Sequence, residues 1–186
     1  LTKIDRDGAV QPQLAKSWDI SPDGLTYTFH LQEGVKFSDG SDFDSADVKY
    51  SLDTARGENS LNAQKQLFAK IASVEAVDPN TVKVTLSGPQ GDFLYNMGWG
   101  DAIIVTEANA ADNGTNPIGT GPYTLGEWVK GDHLTLVRNP TYWGAAPPIE
   151  NVTVKFISDP AAAVASILAG DVDHARAALI VKMREL

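Results

Sequence analysis

The sequence contains the stretch Leu25-Thr-Tyr-Thr-Phe-His-Leu31, in which apolar and polar side chains alternate residue by residue. A period of two is the pattern of a β-strand with one face buried and the other in solvent. The turn sequence Ser21-Pro-Asp-Gly24 comes directly before this stretch. His30 lies on the polar face, so we interpret it as a surface residue without a catalytic role.

Further strands are predicted later in the chain from the same alternation and from the turn residues between strands. A short apolar run at 102–105 is compatible with a strand that is buried on both faces. The other predicted strands cover 82–86, 123–127, 134–136 and 149–157. The second and third of these form a hairpin around Lys130-Gly-Asp132.

Two helices are predicted in the first half of the chain. The first has Asp44 or Ser45 as its N-cap, carries apolar residues at helical spacing and ends before Gly57. The second is indicated by the apolar spacing within 61–71.

A third helix is the best marked in the sequence. Asp159 is its N-cap, Pro160 is its first residue, and Gly170 stops it. The segment 175–186 again has helical spacing. Strands and helices follow one another without a repeat, so the fold class is mixed, α/β or α+β.

The composition excludes several classes of protein. Fifteen Lys and Arg against 24 Asp and Glu give a formal charge of −9, which is the wrong sign for a nucleic-acid partner. The chain has no Cys, so disulfides, thiolate chemistry and Cys-based zinc sites are excluded. No stretch approaches the roughly 18 apolar residues of a helical membrane span.

No motif for catalysis, a cofactor or a metal stands out. Gly119-Thr-Gly121 is followed by Pro122 rather than by a helix, so a phosphate-binding loop is unsupported. The aspartates within 39–47 resemble a calcium loop only superficially, because Asp44 stands where that loop needs Gly. We assign them to a turn and a helix cap. A Ser-His-Asp triad stays open on composition alone, although no Gly-x-Ser-x-Gly elbow occurs.

Two segments are of interest for function and domain organisation. Asp92-Phe-Leu-Tyr-Asn-Met-Gly-Trp-Gly-Asp101 combines three aromatic residues with two glycines. Such a segment either packs into the core or presents an apolar wall to a ligand, and the sequence leaves both open. Residues 109–121 are dense in turn formers, so we place a boundary between two structural units there.

The chain also carries a series of short motifs in order: Leu14-Ala-Lys-Ser-Trp18, Asp23-Gly-Leu-Thr-Tyr-Thr-Phe-His-Leu31, Gly34-Val-Lys-Phe-Ser-Asp-Gly40, Ala46-Asp-Val48, Gly119-Thr-Gly-Pro-Tyr123, Arg138-Asn-Pro-Thr-Tyr-Trp-Gly144 and Ala169-Gly-Asp-Val-Asp173. This series resembles the extracellular solute-binding proteins of family 5. These are the oligopeptide-, dipeptide- and nickel-binding components of bacterial ABC importers. The resemblance covers about residues 8–174.

The resemblance implies a type II periplasmic binding protein fold, in which two lobes close over a ligand by hinge motion. Residues 1–115 then match an accessory subdomain of lobe one, and 116–186 match part of its central sheet. The second lobe lies outside this sequence. A lobe-one fragment of this kind is expected to bind ligand weakly or not at all, and to self-associate through exposed surfaces.

A cleft between two lobes needs an apolar wall with a few polar groups, and our own hypothesis is that Asn96, Met97, Trp99 and Asp101 supply such a wall. This hypothesis rests on the residue types and not on the resemblance. A second set is interpreted as architectural and close to the hinge: Gly119, Thr120, Gly121, Pro122 and Tyr123. Tyr142 and Trp143 are interpreted as packing residues.

The implied function is capture of di- or oligopeptides for import through an ABC permease, without enzymatic chemistry and without a cofactor or metal. The implied location is the periplasm, or the outer face of the membrane through a lipid anchor. Two alternatives stay open at this point. One is a hydrolase, and the other is a ligand-presenting sensor or a chaperone on the same scaffold.

Overall fold

The computed structural model describes residues 1–174, which divide into two compact units. The first unit consists of Leu1–Thr124 and Asn139–Pro147. The second consists of Leu125–Arg138 and the residues from Pro148 onward. The chain therefore leaves the first unit after Thr124, returns at Asn139 and leaves again after Pro147. The assignment of 1–115 and 116–186 to subdomains of a lobe stays a prediction, because it refers to a larger protein.

The first unit is built on an antiparallel four-stranded sheet with a separate two-stranded hairpin. The sheet order is β3-β4-β6-β5, and the hairpin pairs β1 with β2. The elements of this unit are β1 (Thr2–Ile4), β2 (Val10–Pro12), β3 (Ala15–Ile20), β4 (Thr26–Leu31), α1 (Ser45–Arg56), a 3-10 helix (Lys65–Phe68), β5 (Ile71–Asp78), β6 (Thr81–Leu86) and α2 (Phe93–Asn96).

The strand predicted at 25–31 is confirmed as β4, a central strand of the sheet. Its side chains alternate between buried and half-buried positions, and Phe29 pairs with Val82 of β6. The Tyr27 ring lies on the same buried face, with its centroid 4.7 Å from that of Phe93. Burial of each such side chain stabilises the fold by about 2 kcal/mol. The buried face of β4 is therefore a major part of the core.

The helix predicted from Asp44 or Ser45 is confirmed as α1, and Asp44 is its N-cap. The Asp44 carboxylate accepts a hydrogen bond from the Ala46 amide at 2.7 Å, and the Asp47 carboxylate accepts one from the Asp44 amide at 3.0 Å. This is a capping box, which satisfies amides that the helix itself leaves unpaired. Burial raises the pKa of Asp47, although the hydrogen bond from the Asp44 amide opposes the shift.

The second predicted helix, at 61–71, is wrong. Only Lys65–Phe68 is helical, as a single 3-10 turn, and Leu61 is fully exposed. Ile71 instead begins β5, where it pairs with Leu86 of β6. The apolar spacing suits either period over so short a run, and pairing with β6 decides between them.

The strand predicted at 102–105 is also wrong. The Ser51 hydroxyl accepts a hydrogen bond from the Val105 amide at 2.9 Å and contacts the Val105 carbonyl at 3.1 Å. A side chain of α1 thus takes the place of a neighbouring strand. Ala102 and Ile104 are buried, whereas Ile103 is 65% exposed.

The second unit contains a three-stranded sheet and one helix. The sheet order is β7-β8-β9, where β7 is Tyr123–Val129, β8 is His133–Arg138 and β9 is Asn151–Lys155. The predicted hairpin is confirmed, and Gly131 between its strands has a φ of 83°, which favours Gly. The last strand is shorter than the predicted 149–157.

The third predicted helix is confirmed as α3 (Pro160–Ala169). The Asp159 carboxylate accepts a hydrogen bond from the Ala161 amide at 2.8 Å, and Gly170 ends the helix in the left-handed conformation. Among the described residues of the second unit, Ala163 alone belongs to the buried apolar set. The predicted helical tail at 175–186 lies outside the described residues.

The mixture of sheets and helices confirms the predicted mixed fold class. Within residues 1–174, no helix has both the length and the apolar character needed to cross a bilayer.

Replacement of Asp44 by Ala removes the N-cap acceptor of α1. We expect the free energy of unfolding to fall by about 1 kcal/mol, because an orphan amide at the helix start loses its partner. Urea denaturation followed by circular dichroism measures the change. In the control variant Asp47→Asn, the carboxamide oxygen still accepts from Asp44 and a half-buried charge is removed, so stability should stay closer to that of the unchanged protein. Equal losses in both variants would contradict the assignment.

Candidate functional site

The segment 92–105 of the first unit lies against β1. The Thr2 hydroxyl donates a hydrogen bond to the Leu94 carbonyl at 2.7 Å. A Cβ atom on Gly98 would lie 3.1 Å from the side chains of Ile4 and Thr2, which is closer than ordinary van der Waals contact, so a larger residue would force these side chains to shift. The segment is therefore held at a defined position by a strand far away in the sequence.

One side of this segment is core. Phe93 is completely buried, and the predicted site residues Asn96 and Met97 are only 4% and 1% exposed. Their side chains point into the packed interior of the unit. The interpretation of the segment as core is thus correct for these residues.

The other side of the segment faces solvent. Tyr95 and Trp99 are 38% and 44% exposed, and their rings meet edge to face with centroids 6.3 Å apart. We call these two residues the aromatic pair. Asp101, at the end of the segment, is half-buried, and its carbonyl accepts a hydrogen bond from the Asn62 side chain at 2.8 Å. Of the four predicted wall residues, Trp99 and Asp101 are thus accessible.

The architectural motif at 119–123 is held by its backbone carbonyls. Ser38 donates to the Gly119 carbonyl at 2.9 Å, and the Trp143 indole donates to the Thr120 carbonyl at 3.1 Å. Asn139 donates to the next two carbonyls, from its side chain to Gly121 at 3.2 Å and from its backbone to Pro122 at 2.8 Å. Sequence reasoning gave Asn139 no role of its own, although it lies in the motif Arg138-Asn-Pro-Thr-Tyr-Trp-Gly144 and forms the turn-forming pair Asn139-Pro140.

The aspartates within 39–47 are all engaged by neighbouring groups. Hydrogen bonds from the Ser41 hydroxyl and amide lower the pKa of Asp39, Lys36 pairs with Asp42, and the remaining two aspartates cap α1. Among residues 1–174, no group of three or more acidic or His side chains is placed to hold a metal.

The His side chains of the two sheets make surface contacts with carboxylates. His30 lies 2.8 Å from Asp19, and His133 lies 2.6 Å from Asp132. For His30 this agrees with the surface role predicted from the strand pattern.

A shallow groove of about 510 Å³ lies beside α1 and is lined by Lys49, Tyr50, Asp53 and Glu107, among others. Burial raises the pKa of Asp53, but hydrogen bonds and charges of Lys49 and Arg56 outweigh this effect and hold the pKa below its ordinary value. The Arg56 guanidinium lies 2.8 Å from the Asp53 carboxylate. Lys49 and Arg56 therefore favour the charged form of the Asp53 carboxylate on the surface of α1, and we call Asp53 the charged anchor.

The comparison with family models gives a match to the bacterial extracellular solute-binding proteins, family 5 Middle, over residues 9–182. This chain belongs to that family. The resemblance read from the motifs is thereby confirmed.

A relative in Salmonella paratyphi A, the glutathione-binding protein GsiB, is 34% identical over 98% of this chain and 38% of its own length. The structure of NikZ from Campylobacter jejuni in complex with Ni(L-His) is similar, with a TM-score of 0.86 and 32% identity over 92% of this chain and 36% of that one. DppA from Helicobacter pylori, in complex with the peptide STSA, has a TM-score of 0.81 and 31% identity over 92% of this chain and 39% of that one.

These similarities confirm the expected type II periplasmic binding protein fold, of which this chain is a part. The chain spans somewhat more than a third of the length of each of these proteins.

Replacement of Trp99 by Ala tests whether this side chain is free of the core. We expect the free energy of unfolding to fall by about 1 kcal/mol, because Trp99 is 44% exposed and its ring contact with Tyr95 lies at the surface. The matched variant Met97→Ala should cost about 2–5 kcal/mol, because it leaves a cavity. Chemical denaturation of both variants measures the difference. A Trp99 variant that loses as much stability as the Met97 variant would show that Trp99 supports the core.

Replacement of Asp53 by Asn tests the charged anchor. The folded pKa of Asp53 lies below its ordinary value of 3.8, so the carboxylate contributes stability above pH 3.8 and loses that contribution as pH falls through the folded pKa. We expect the variant to be less stable by about 0.5–1 kcal/mol at pH 7, and this gap to shrink as the pH falls below 3.8. Denaturation at a series of pH values measures this. Asp7→Asn, which removes an exposed charge, is the control and should change the free energy of unfolding by less than about 0.5 kcal/mol at pH 7.

Proposed function

We propose that this chain is part of a solute receptor that captures peptides for import through an ABC permease. The observation that carries the proposal is the family match over residues 9–182, together with a relative named for binding glutathione, which is a tripeptide. In this proposal the receptor works by binding and release, without enzymatic chemistry. Its location is the periplasm, or the cell surface through a lipid anchor.

The aromatic pair is proposed as part of the ligand wall. Tyr95 and Trp99 offer flat apolar surfaces with polar edges, which suit a peptide that has both apolar and polar groups. Asp101 adds a negative charge at the end of the same segment. Asn96 and Met97 act behind this wall, where their burial holds the segment in position.

The subdomain assignment belongs to this proposal. Residues 1–115 form an accessory part of lobe one, and 116–186 form part of its central sheet. Gly119-Thr-Gly-Pro-Tyr123 is an architectural element near the hinge. When the chain is isolated from the rest of the protein, apolar side chains such as Trp128 and Phe156 are exposed and favour self-association.

A metal chelate is a second candidate ligand. Its support is the similarity of this chain to NikZ, whose structure contains Ni(L-His), at a TM-score of 0.86. The two ligands make different demands on the wall, since a chelate is compact and a peptide is extended. Both are compatible with exposed aromatic rings.

Calorimetric titration of the whole protein tests the proposal. The ligands are glutathione, the peptide Ser-Thr-Ser-Ala and nickel with L-histidine. We expect at least one peptide to bind, and Trp99→Ala to weaken that binding about tenfold or more, because an aromatic contact is lost. Trp128→Ala is the matched control, since Trp128 is 39% exposed in the other unit, beside Lys130.

Three outcomes are informative. Binding of nickel-histidine alone would replace the peptide by a chelate. Equal effects of the two Trp substitutions would exclude the aromatic pair as the wall. Absence of binding in all titrations, and of any co-purified small molecule in native mass spectrometry, would contradict the proposed function.

A further inference from the structure

Two segments of the first unit that are separate in sequence are joined at the point where the chain passes to the second unit. One is 119–122, directly before the chain leaves after Thr124, and the other is 139–143, directly after it returns. We call the contact between them the latch. It consists of Asn139 and Trp143 with the carbonyls of Thr120, Gly121 and Pro122.

Asn139 is the centre of the latch. It is 3% exposed, and both ends of its side-chain amide have partners. The nitrogen donates to the Gly121 carbonyl, while the oxygen accepts from the amide and the hydroxyl of Thr141 at 3.0 and 2.9 Å. A buried amide satisfied in this way has one orientation only, because any other would leave polar atoms unpaired.

Trp143 is the second part of the latch. Its ring packs against the hydrophobic core of the first unit, and its indole nitrogen donates to the Thr120 carbonyl at 3.1 Å. The turn around Trp143, from Tyr142 to Gly144, is closely packed. A side chain on Gly144 would come within 2.7 Å of the Tyr142 ring, which in turn lies against Trp143 with centroids 5.5 Å apart.

The far end of the segment is anchored as well. Ser38 donates to the Gly119 carbonyl, and it follows Phe37, which is completely buried. Four consecutive carbonyls therefore accept hydrogen bonds from three residues in two different parts of the first unit. The glycines of this motif do not have positive φ, and a side chain on either would meet open space, so the carbonyl bonds rather than glycine geometry determine its position.

We propose that Asn139 and Trp143 are positioning residues that act as one cooperative latch. The latch joins the segment 119–122, after which the chain passes to the second unit, to the segment 139–143, where the chain returns. Residues 125–138 lie between these two segments in sequence. Because the latch joins them, the two segments move as a single body. Each hydrogen bond holds the segment 119–122 close enough for the neighbouring hydrogen bond to form, so loss of one bond weakens the others. The proposal concerns the chain itself and does not depend on which ligand the receptor binds.

Hydrogen exchange in the whole protein, followed by NMR with labelled Trp and Asn, tests the cooperativity. In Asn139→Ala the readout is the Trp143 indole N–H, which Asn139 does not contact in the hydrogen-bond network. In Trp143→Phe, which keeps an aromatic ring, the readout is the Asn139 backbone N–H. We expect each of these two N–H groups to exchange about tenfold faster in the variant than in the unchanged protein, which corresponds to the loss of about one net hydrogen bond.

Asn109→Ala is the matched control. The Asn109 side chain also donates to a backbone carbonyl, that of Asn116 at 3.1 Å, but it lies outside the latch. Both readouts should stay within about twofold in this variant. Unchanged exchange of the distant N–H in the two latch variants would overturn the proposal. So would an equal acceleration of the amides of β4 and β6, because that reports a loss of stability of the whole unit. If Asn139→Ala does not fold, the Trp143→Phe arm decides alone.

Discussion

The contact between Tyr27 and Phe93 is the interaction on which the rest of the first unit depends. Their ring centroids are 4.7 Å apart, and Phe29 joins the same group of rings. Tyr27 belongs to the central strand β4, whereas Phe93 begins the segment that carries the aromatic pair. The core therefore determines the position of the candidate site. Because Phe93 and Met97 are held inside, Tyr95 and Trp99 are presented outside, as the spacing of a helical turn requires.

The segments 92–105 and 119–122 use different means of positioning. The segment 92–105 is held by side-chain burial and by close approach of Gly98 to β1. The segment 119–122 is held by hydrogen bonds to its carbonyls, since its side chains are small and only half-buried. Burial and close packing fix the position of the first segment, whereas a connected set of hydrogen bonds fixes the path of the second.

The elements that were predictable from the sequence are those whose signals are local. The alternation in β4, the capping box of α1 and the Asp159, Pro160 and Gly170 signals of α3 all act over a few residues. The motif series predicted the family for the same reason, since motifs are read in order along the chain. The hairpin strands β1 and β2 and the edge strands β3 and β5 were missed, because β1 and β2 have only three residues each and the side chains of β3 and β5 do not alternate strictly between buried and exposed.

The sequence by itself determined the family, the mixed fold class and the segment 92–101 as the place where core and ligand wall compete. Only the tertiary structure decided that competition residue by residue, because the direction of each side chain depends on β1 and β4, which pack against the segment from afar. It also decided that the Ser51 hydroxyl forms hydrogen bonds with the backbone of Val105 and that the Asn139 side chain joins the two segments of the latch. Such side-chain bonds leave no periodic trace in the sequence, since one polar residue at the right point in space is sufficient.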